Sequence, residues 1–307
     1  MISATSPGEL RIEHLVKTFG PVRAVDDLSF TVAPGRVTGF LGPNGAGKTT
    51  TLRVLLGLAA PTSGTATVGG RRYADIEHPA RVVGAALEAT SFHPGRSARD
   101  HLRVYAPQIG VPDSRCDEVL ETVGLAPVAH RRVGGFSMGM RQRLGLATTL
   151  LGDPQVMILD EPANGLDPEG IAWLRGFLRY LAGQGRTVLV SSHVLSEVQQ
   201  TVDDVVIIAK GRLVHASDMA GLRDLAGSQV MVVSPDAAGL RALVARRWPA
   251  AASPVDGRDG AVLLRDVSAA EVGSAAFAAG LELHELSPRD RGLEDVFLQL
   301  TAEEVAA

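Results

Sequence analysis

The chain has 307 residues, 45% of them hydrophobic, and a formal net charge of −4. That is enough apolar material for one large domain and a small one, and the acidic balance lacks the basic field that a nucleic-acid backbone demands, so no nucleic-acid partner is expected. Cys116 is the only cysteine, which rules out an intramolecular disulfide, and no apolar run approaches the roughly 18 residues needed to span a bilayer, so the protein is expected to be cytoplasmic unless a partner holds it at a membrane.

Short β-rich runs at Arg11 to Phe19 and Val25 to Val32 open an α/β pattern. A strand at Arg36 to Leu41 enters a glycine-rich turn, a helix is expected over Lys48 to Gly57, and GTATVGG returns the chain to extended structure. After a strand at Arg81 to Leu87 the apolar spacing turns helical, at Ser97 to Gly110 and Asp113 to Val123, with a third helix starting near Ser137 and capped by it. This reads as a helical subdomain, about 89–150, inserted into a sheet domain. Buried parallel strands resume at Gln155 to Leu159 and Thr187 to Ser191, and VVIIAKGRLVHAS reads as a hairpin turning at Lys210-Gly211. The first domain is expected to be 1–225. Residues 226–307 form a second, small α+β accessory domain, with strands at Gln229 to Val233, Ala261 to Arg265 and Leu281 to Leu286 and helices beginning near Asp236, Ser268 and Gly292.

Gly42 to Thr49 reads GPNGAGKT, the G-x-x-x-x-G-K-[ST] pattern, between an expected strand and an expected helix. Such glycines let the backbone curl so that successive N–H groups point at phosphate oxygens, and the helix N-terminus adds partial positive charge. Gly42, Pro43, Asn44, Gly45, Ala46, Gly47, Lys48, Thr49 and Thr50 are therefore the candidate phosphate cradle, with Lys48 reaching the β- and γ-phosphates and the Thr49 hydroxyl ligating Mg²⁺. Downstream, QVMILDE at Gln155 to Glu161 is an apolar strand ending in two carboxylates. Beside a phosphate loop, Asp160 reads as the Mg²⁺ carboxylate and Glu161 as the general base for water; without such a loop either would serve equally well as a helix cap.

Five motifs together narrow the class. Besides the phosphate loop and QVMILDE, FSMGMRQR at Phe136 to Arg143 resembles the signature sequence of ATP-binding cassette (ABC) proteins, ANGLD at Ala163 to Asp167 resembles their D-loop, and SSH at Ser191 to His193 their switch-histidine loop. The resemblance covers about the first 225 residues. It implies a P-loop cassette with a mixed sheet core, a β-subdomain and an inserted helical subdomain, which hydrolyses ATP. It also implies a head-to-tail homodimer or pseudo-dimer in which ATP and Mg²⁺ lie between one chain's phosphate loop and the opposite chain's Ser137 and Gly139. In that arrangement His193 senses the γ-phosphate and Asp167 couples the two sites; taken alone, His193 is a strand-end histidine and Asp167 a helix cap before Pro168. Phe19 matches the aromatic that stacks on adenine in similar proteins, with packing at a strand end as the alternative.

Two positions depart from the common pattern. Met138 and Met140 replace the first glycine and the glutamine of LSGGQ, so Ser137 and Gly139 remain while the glutamine's polar contact is missing. Glu88 stands where the family usually carries glutamine; it either binds Mg²⁺ or its water, or is a solvated loop carboxylate. FSMGMRQR, EATSFHPGRSARDHL at Glu88 to Leu102 and the terminal LEDVFLQLT together resemble the ATPases of drug and peptide-antibiotic exporters. That branch implies a separate six-helix-type permease contacted near Ser91 to Leu102, a place on the inner face of the cell membrane, and a hydrophobic drug, antibiotic or lipid-like substrate. The two-cassette chain, long coiled-coil insertion or cysteine metal motif expected of soluble cassette ATPases acting on ribosomes or DNA does not occur in the sequence. A subunit that only binds ATP would need neither Glu161 nor His193.

Overall fold

The computed structural model describes residues 6–87, 92–249, 251–254, 260–290 and 292–306. The chain divides into two compact units, one reaching to Met219 and taking in the end of the chain from Gln299, the other spanning Ala220–Leu298.

The first unit opens with the antiparallel strands β1 (Leu10–Phe19) and β2 (Val22–Val32), continues through β3 (Val37–Leu41) and helix α1 (Lys48–Leu55), and returns in β4 (Ser63–Val68). Strands β2, β1 and β4 form a three-stranded antiparallel sheet in that order. After α2 (Pro79–Val82) and β5 (Val83–Ala86) come three helices, α3 (Ala98–Ile109), α4 (Ser114–Thr122) and α5 (Met138–Leu150), before β6 (Val156–Leu159). The chain then alternates through α6 (Pro168–Gly183), β7 (Thr187–Ser192) and α7 (Leu195–Val198) to the hairpin β8 (Asp204–Ala209) and β9 (Arg212–Asp218). The main sheet runs β5-β6-β7-β3-β8-β9, parallel except for the last pair. Strands β3 and β6 are buried at every position, which is why they read as continuous apolar runs rather than as alternation. Lys210 (φ 47°) and Gly211 (φ 81°) both take left-handed conformations at the β8–β9 turn, the requirement of a tight hairpin that matches strand twist. One core cluster joins the two sheets and α1: Leu10, Ile12 and Phe30 meet Phe40, Leu52, Ile158 and Ile208, and the Phe30 and Phe40 rings stack with centroids 5.1 Å apart.

Helix α8 (Met219–Ala226) starts as soon as β9 ends, so the division of the chain falls a few residues before the expected boundary at 225. The second unit then runs β10 (Ser228–Val233), α9 (Ala237–Arg247), β11 (Ala252–Pro254), β12 (Ala261–Arg265), α10 (Ala269–Ala278), β13 (Glu285–Asp290) and the first part of α11 (Leu293–Ala306), whose residues from Gln299 on count with the first unit. Its sheet order, β11-β12-β10-β13 with every pair antiparallel, is that of a split β-α-β, the ferredoxin-like arrangement. Val230, Val232, Val262 and Leu264 turn one sheet face onto Leu240, Val244 and Val272 of the two helices. Asp236 and Ser268 cap α9 and α10, the latter with a full capping box through Glu271. The last strand lies at Glu285–Asp290, not at Leu281 to Leu286: Leu281 and Leu283 pack against the helix core instead, and Pro288 is tolerated because β13 is an edge strand pairing with β10 alone.

Candidate active site

The loop between β3 and α1 is shaped by close approach. A Cβ at Gly47, whose φ is 102°, would stand 2.4 Å from the Ala24 carbonyl oxygen, and one at Gly42 would stand 2.4 Å from the Ile208 carbonyl oxygen. Only glycine fits either position, so the loop is wedged between β2 and β8. Lys48 is 6% exposed and its ammonium donates to the carbonyls of Gly42 (2.6 Å) and Pro43 (3.3 Å). Asn44, Gly45, Ala46, Gly47, Lys48, Thr49 and Thr50 line a concavity of about 360 Å³ that also receives Glu161 and His193.

Strand β6 delivers the two carboxylates to the same mouth. Thr49 Oγ1 donates to Asp160 Oδ2 at 2.7 Å, and Ser191 Oγ donates to the other oxygen, Oδ1. Glu161 turns the chain through a left-handed conformation (φ 51°), an uncommon state for a residue with a Cβ and one found at functional sites. Its Oε1 lies 3.5 Å from Lys48 Nζ and its Oε2 lies 2.9 Å from Nδ1 of His193. The donor set at Thr49 and Asp160, one hydroxyl and one carboxylate, consists of hard oxygens and suits Mg²⁺, which takes few protein ligands and completes its shell with phosphate and water. Among the described residues no group of three or more His, Cys, Asp or Glu side chains forms a metal cage.

Ser137, Gly139 and Asp167 do not join this group. They line a separate concavity of about 530 Å³ with Met138, Met140 and Gly165. Ser137 caps α5, its Oγ accepting from Met140 N at 3.2 Å, so the helix N-terminus opens there. Met138 is 48% exposed and lies beside Gly165, where an added Cβ would come within 3.5 Å of its Cγ. Asp167 caps α6 by accepting from Gly170 N at 2.8 Å, ahead of Pro168. Phe19 does not pack in the core: it is 53% exposed at the end of β1, and Lys17 Nζ stands 4.6 Å from its ring centroid. Glu88 lies outside the described residues. Ala24, which also lines the phosphate-loop concavity, carries no motif that singles it out in sequence, and Asn164, which lines it too, belongs to the ANGLD motif but carries no assigned role there.

A parallel sheet with a glycine-cradled lysine and paired carboxylates at one strand-end mouth defines a P-loop nucleoside triphosphatase. Residues 25–164 match the ABC transporter family, and residues 228–294 match a domain of unknown function (DUF8746). Over 95% of both chains the sequence is 34% identical to YdbJ, an uncharacterized ABC transporter ATP-binding protein of Bacillus subtilis (strain 168). It is 44% identical, over 67% of this chain and 68% of the other, to the bacitracin transport ATP-binding protein BcrA of Bacillus licheniformis. The solved structure of an ATP-binding subunit of an ABC transporter superposes with a TM-score of 0.62 at 27% identity, covering 70% of this chain and 92% of that one. The chain belongs to the ABC transporter ATP-binding family, and it is an ATP-binding, ATP-hydrolysing transport subunit. Among its described residues no helix is long and apolar enough to cross a membrane.

Proposed function

We propose that the protein powers export of a peptide antibiotic or a similar hydrophobic, drug-like or lipid-like substrate through a separate permease, from a peripheral position on the cytoplasmic face of the cell membrane. The 44% identity to a bacitracin transport ATP-binding protein supports the substrate class. Two copies pair when ATP is bound, and each nucleotide lies between one copy's phosphate loop and the other's Ser137 and Gly139. The separation of these residues into two concavities on one chain supports this reading, because neither half encloses a nucleotide alone.

Within each site Lys48 binds the β- and γ-phosphates. Thr49 and Asp160 hold Mg²⁺, and Glu88 is carried as a third candidate from the sequence. An ion held there would supply charge neutralisation to the phosphates. Glu161 takes a proton from the attacking water while the bond to the ADP oxygen breaks, and His193 holds the Glu161 carboxylate in place. Phe19 offers an exposed ring to the adenine. Asp167 transmits the state of one site to the other from the cap of α6.

The observation that carries this reading is the convergence of Lys48, Glu161 and His193 on one concavity. The test is ATP turnover by the complex of the chain with its permease, in membranes, with and without bacitracin. Turnover stimulated by the peptide and lost in Glu161→Gln is the expected result; turnover that ignores every peptide antibiotic and amphipathic drug supplied overturns the substrate class.

A further inference from the structure

Strands β6 and β7 run parallel in register, Leu159 beside Val190, so the next residues along them, Asp160 and Ser191, stand side by side. Ser191 is fully buried, and its hydroxyl makes two contacts of opposite sense. It donates to Asp160 Oδ1, and it accepts from the backbone N–H of Glu161 at 2.9 Å. The second contact falls where Glu161 leaves extended structure for a left-handed conformation. An amide at such a bend loses its sheet partner and is costly to leave unpaired when water is excluded. The serine hydroxyl supplies the missing acceptor and spends its own proton on the carboxylate next door.

We propose that Ser191 is a positioning residue for the ATPase reaction, which sets Asp160 and Glu161 as one unit. One hydroxyl fixes the rotamer of the first carboxylate and the peptide plane of the second, so the group assigned to Mg²⁺ and the group assigned to water cannot reorient independently. The inference rests on the roles given above to Asp160 and Glu161. It requires a side chain that donates and accepts at once, which alanine cannot do and threonine can.

The experiment uses the full chain and compares Ser191→Ala, Ser191→Thr, Asp160→Asn and Glu161→Gln. The primary reading is the affinity for ATP with Mg²⁺ divided by that in EDTA, obtained by equilibrium titration with a fluorescent ATP analogue, which needs no turnover. Thermal melting of each variant monitors the fold. In Ser191→Ala the gain from Mg²⁺ is expected to fall about tenfold, the scale of one lost hydrogen bond to a charged group, with affinity in EDTA within about twofold of wild type. Where turnover is measured, kcat falls at least about tenfold with KM for ATP little changed, and Ser191→Thr recovers most of both losses. An unchanged gain from Mg²⁺ in Ser191→Ala overturns the proposal, as does an equal loss of affinity in EDTA, which is the mark of a packing defect. Normal Mg²⁺ gain in Asp160→Asn and normal turnover in Glu161→Gln would instead remove the underlying assignment of the carboxylates.

Discussion

His193 Nδ1 stands 2.9 Å from Glu161 Oε2, and the second oxygen of the same carboxylate stands 3.5 Å from the Lys48 ammonium. A glutamine at 161 has nearly the same size and keeps a carbonyl oxygen for His193 or Lys48, but it cannot accept a proton from water. Glu161→Gln is therefore expected to lower turnover by about 10²–10⁴ while ATP affinity stays within a few-fold of wild type. Sizing chromatography in ATP should then show a persistent pair, because nucleotide bound between copies stabilises association by mass action. Normal hydrolysis in this variant would move the base elsewhere, with Glu88 the first residue to examine.

Lys48→Ala acts on an earlier step. The buried ammonium satisfies the carbonyls of Gly42 and Pro43 in the free protein, and phosphate oxygens are its partners in the bound one. Its removal should weaken ATP binding at least about tenfold and abolish turnover. Calorimetric titration with ATP separates this from the Glu161 variant, which binds and fails to hydrolyse.

The two inner glycines of the loop are predicted to differ. Both have positive φ, 82° at Gly45 and 102° at Gly47, but an added Cβ at Gly45 meets nothing within 4 Å whereas one at Gly47 meets the Ala24 carbonyl oxygen at 2.4 Å. Gly45→Ala should cost roughly the 1–2 kcal/mol of a left-handed alanine and retain measurable ATP binding. Gly47→Ala combines that strain with a backbone collision, so it should lose binding and lower the melting temperature of the chain. Equal behaviour of the two would mean that the wedge against Ala24 does not shape the loop.

How much of this was readable beforehand follows from where the information sits. The phosphate loop is legible because its glycines, lysine and threonine occupy eight consecutive positions between a strand and a helix, and caps such as Ser137 and Ser268 announce themselves within three residues of the amides they bind. The bridge from Ser191 to Asp160 joins residues 31 apart, and it exists only because β6 and β7 adopt one register, which no local pattern states. Ala24 enters the concavity through the same kind of long-range placement. In the second unit, the apolar alternation of Leu281, Leu283 and Leu286 reads as a strand although the first two serve the helix core, and the edge strand that follows contains a proline that sequence rules count against it. Strand β11 is three residues long, below the length at which periodicity carries a signal.

His101 on α3 gives the chain an acid-sensitive point away from the nucleotide. The ring is 3% exposed, meets Phe92 and Tyr105 edge-on at 4.9 and 5.2 Å, and leaves Nδ1 without a hydrogen-bond partner. Burial, reinforced by the charge of Arg96, pushes its pKa down from 6.5 to about 4. The folded chain thus holds this imidazole neutral over a range of pH in which the unfolded chain protonates it. Between those two values the unfolded state binds more protons, so stability is fully present above about pH 6.5 and is lost as pH falls toward 4. The whole loss is on the order of 3 kcal/mol, and about 2 kcal/mol of it falls between roughly pH 7 and 5. His101→Phe keeps a ring against Phe92 and Tyr105 and removes the titration. Urea unfolding of both proteins at about pH 7 and 5 should show the wild type losing about 2 kcal/mol more than the variant. Because surface carboxylates titrate alike in the two proteins, the difference between their pH slopes belongs to His101, and identical slopes would show that the folded chain admits the proton.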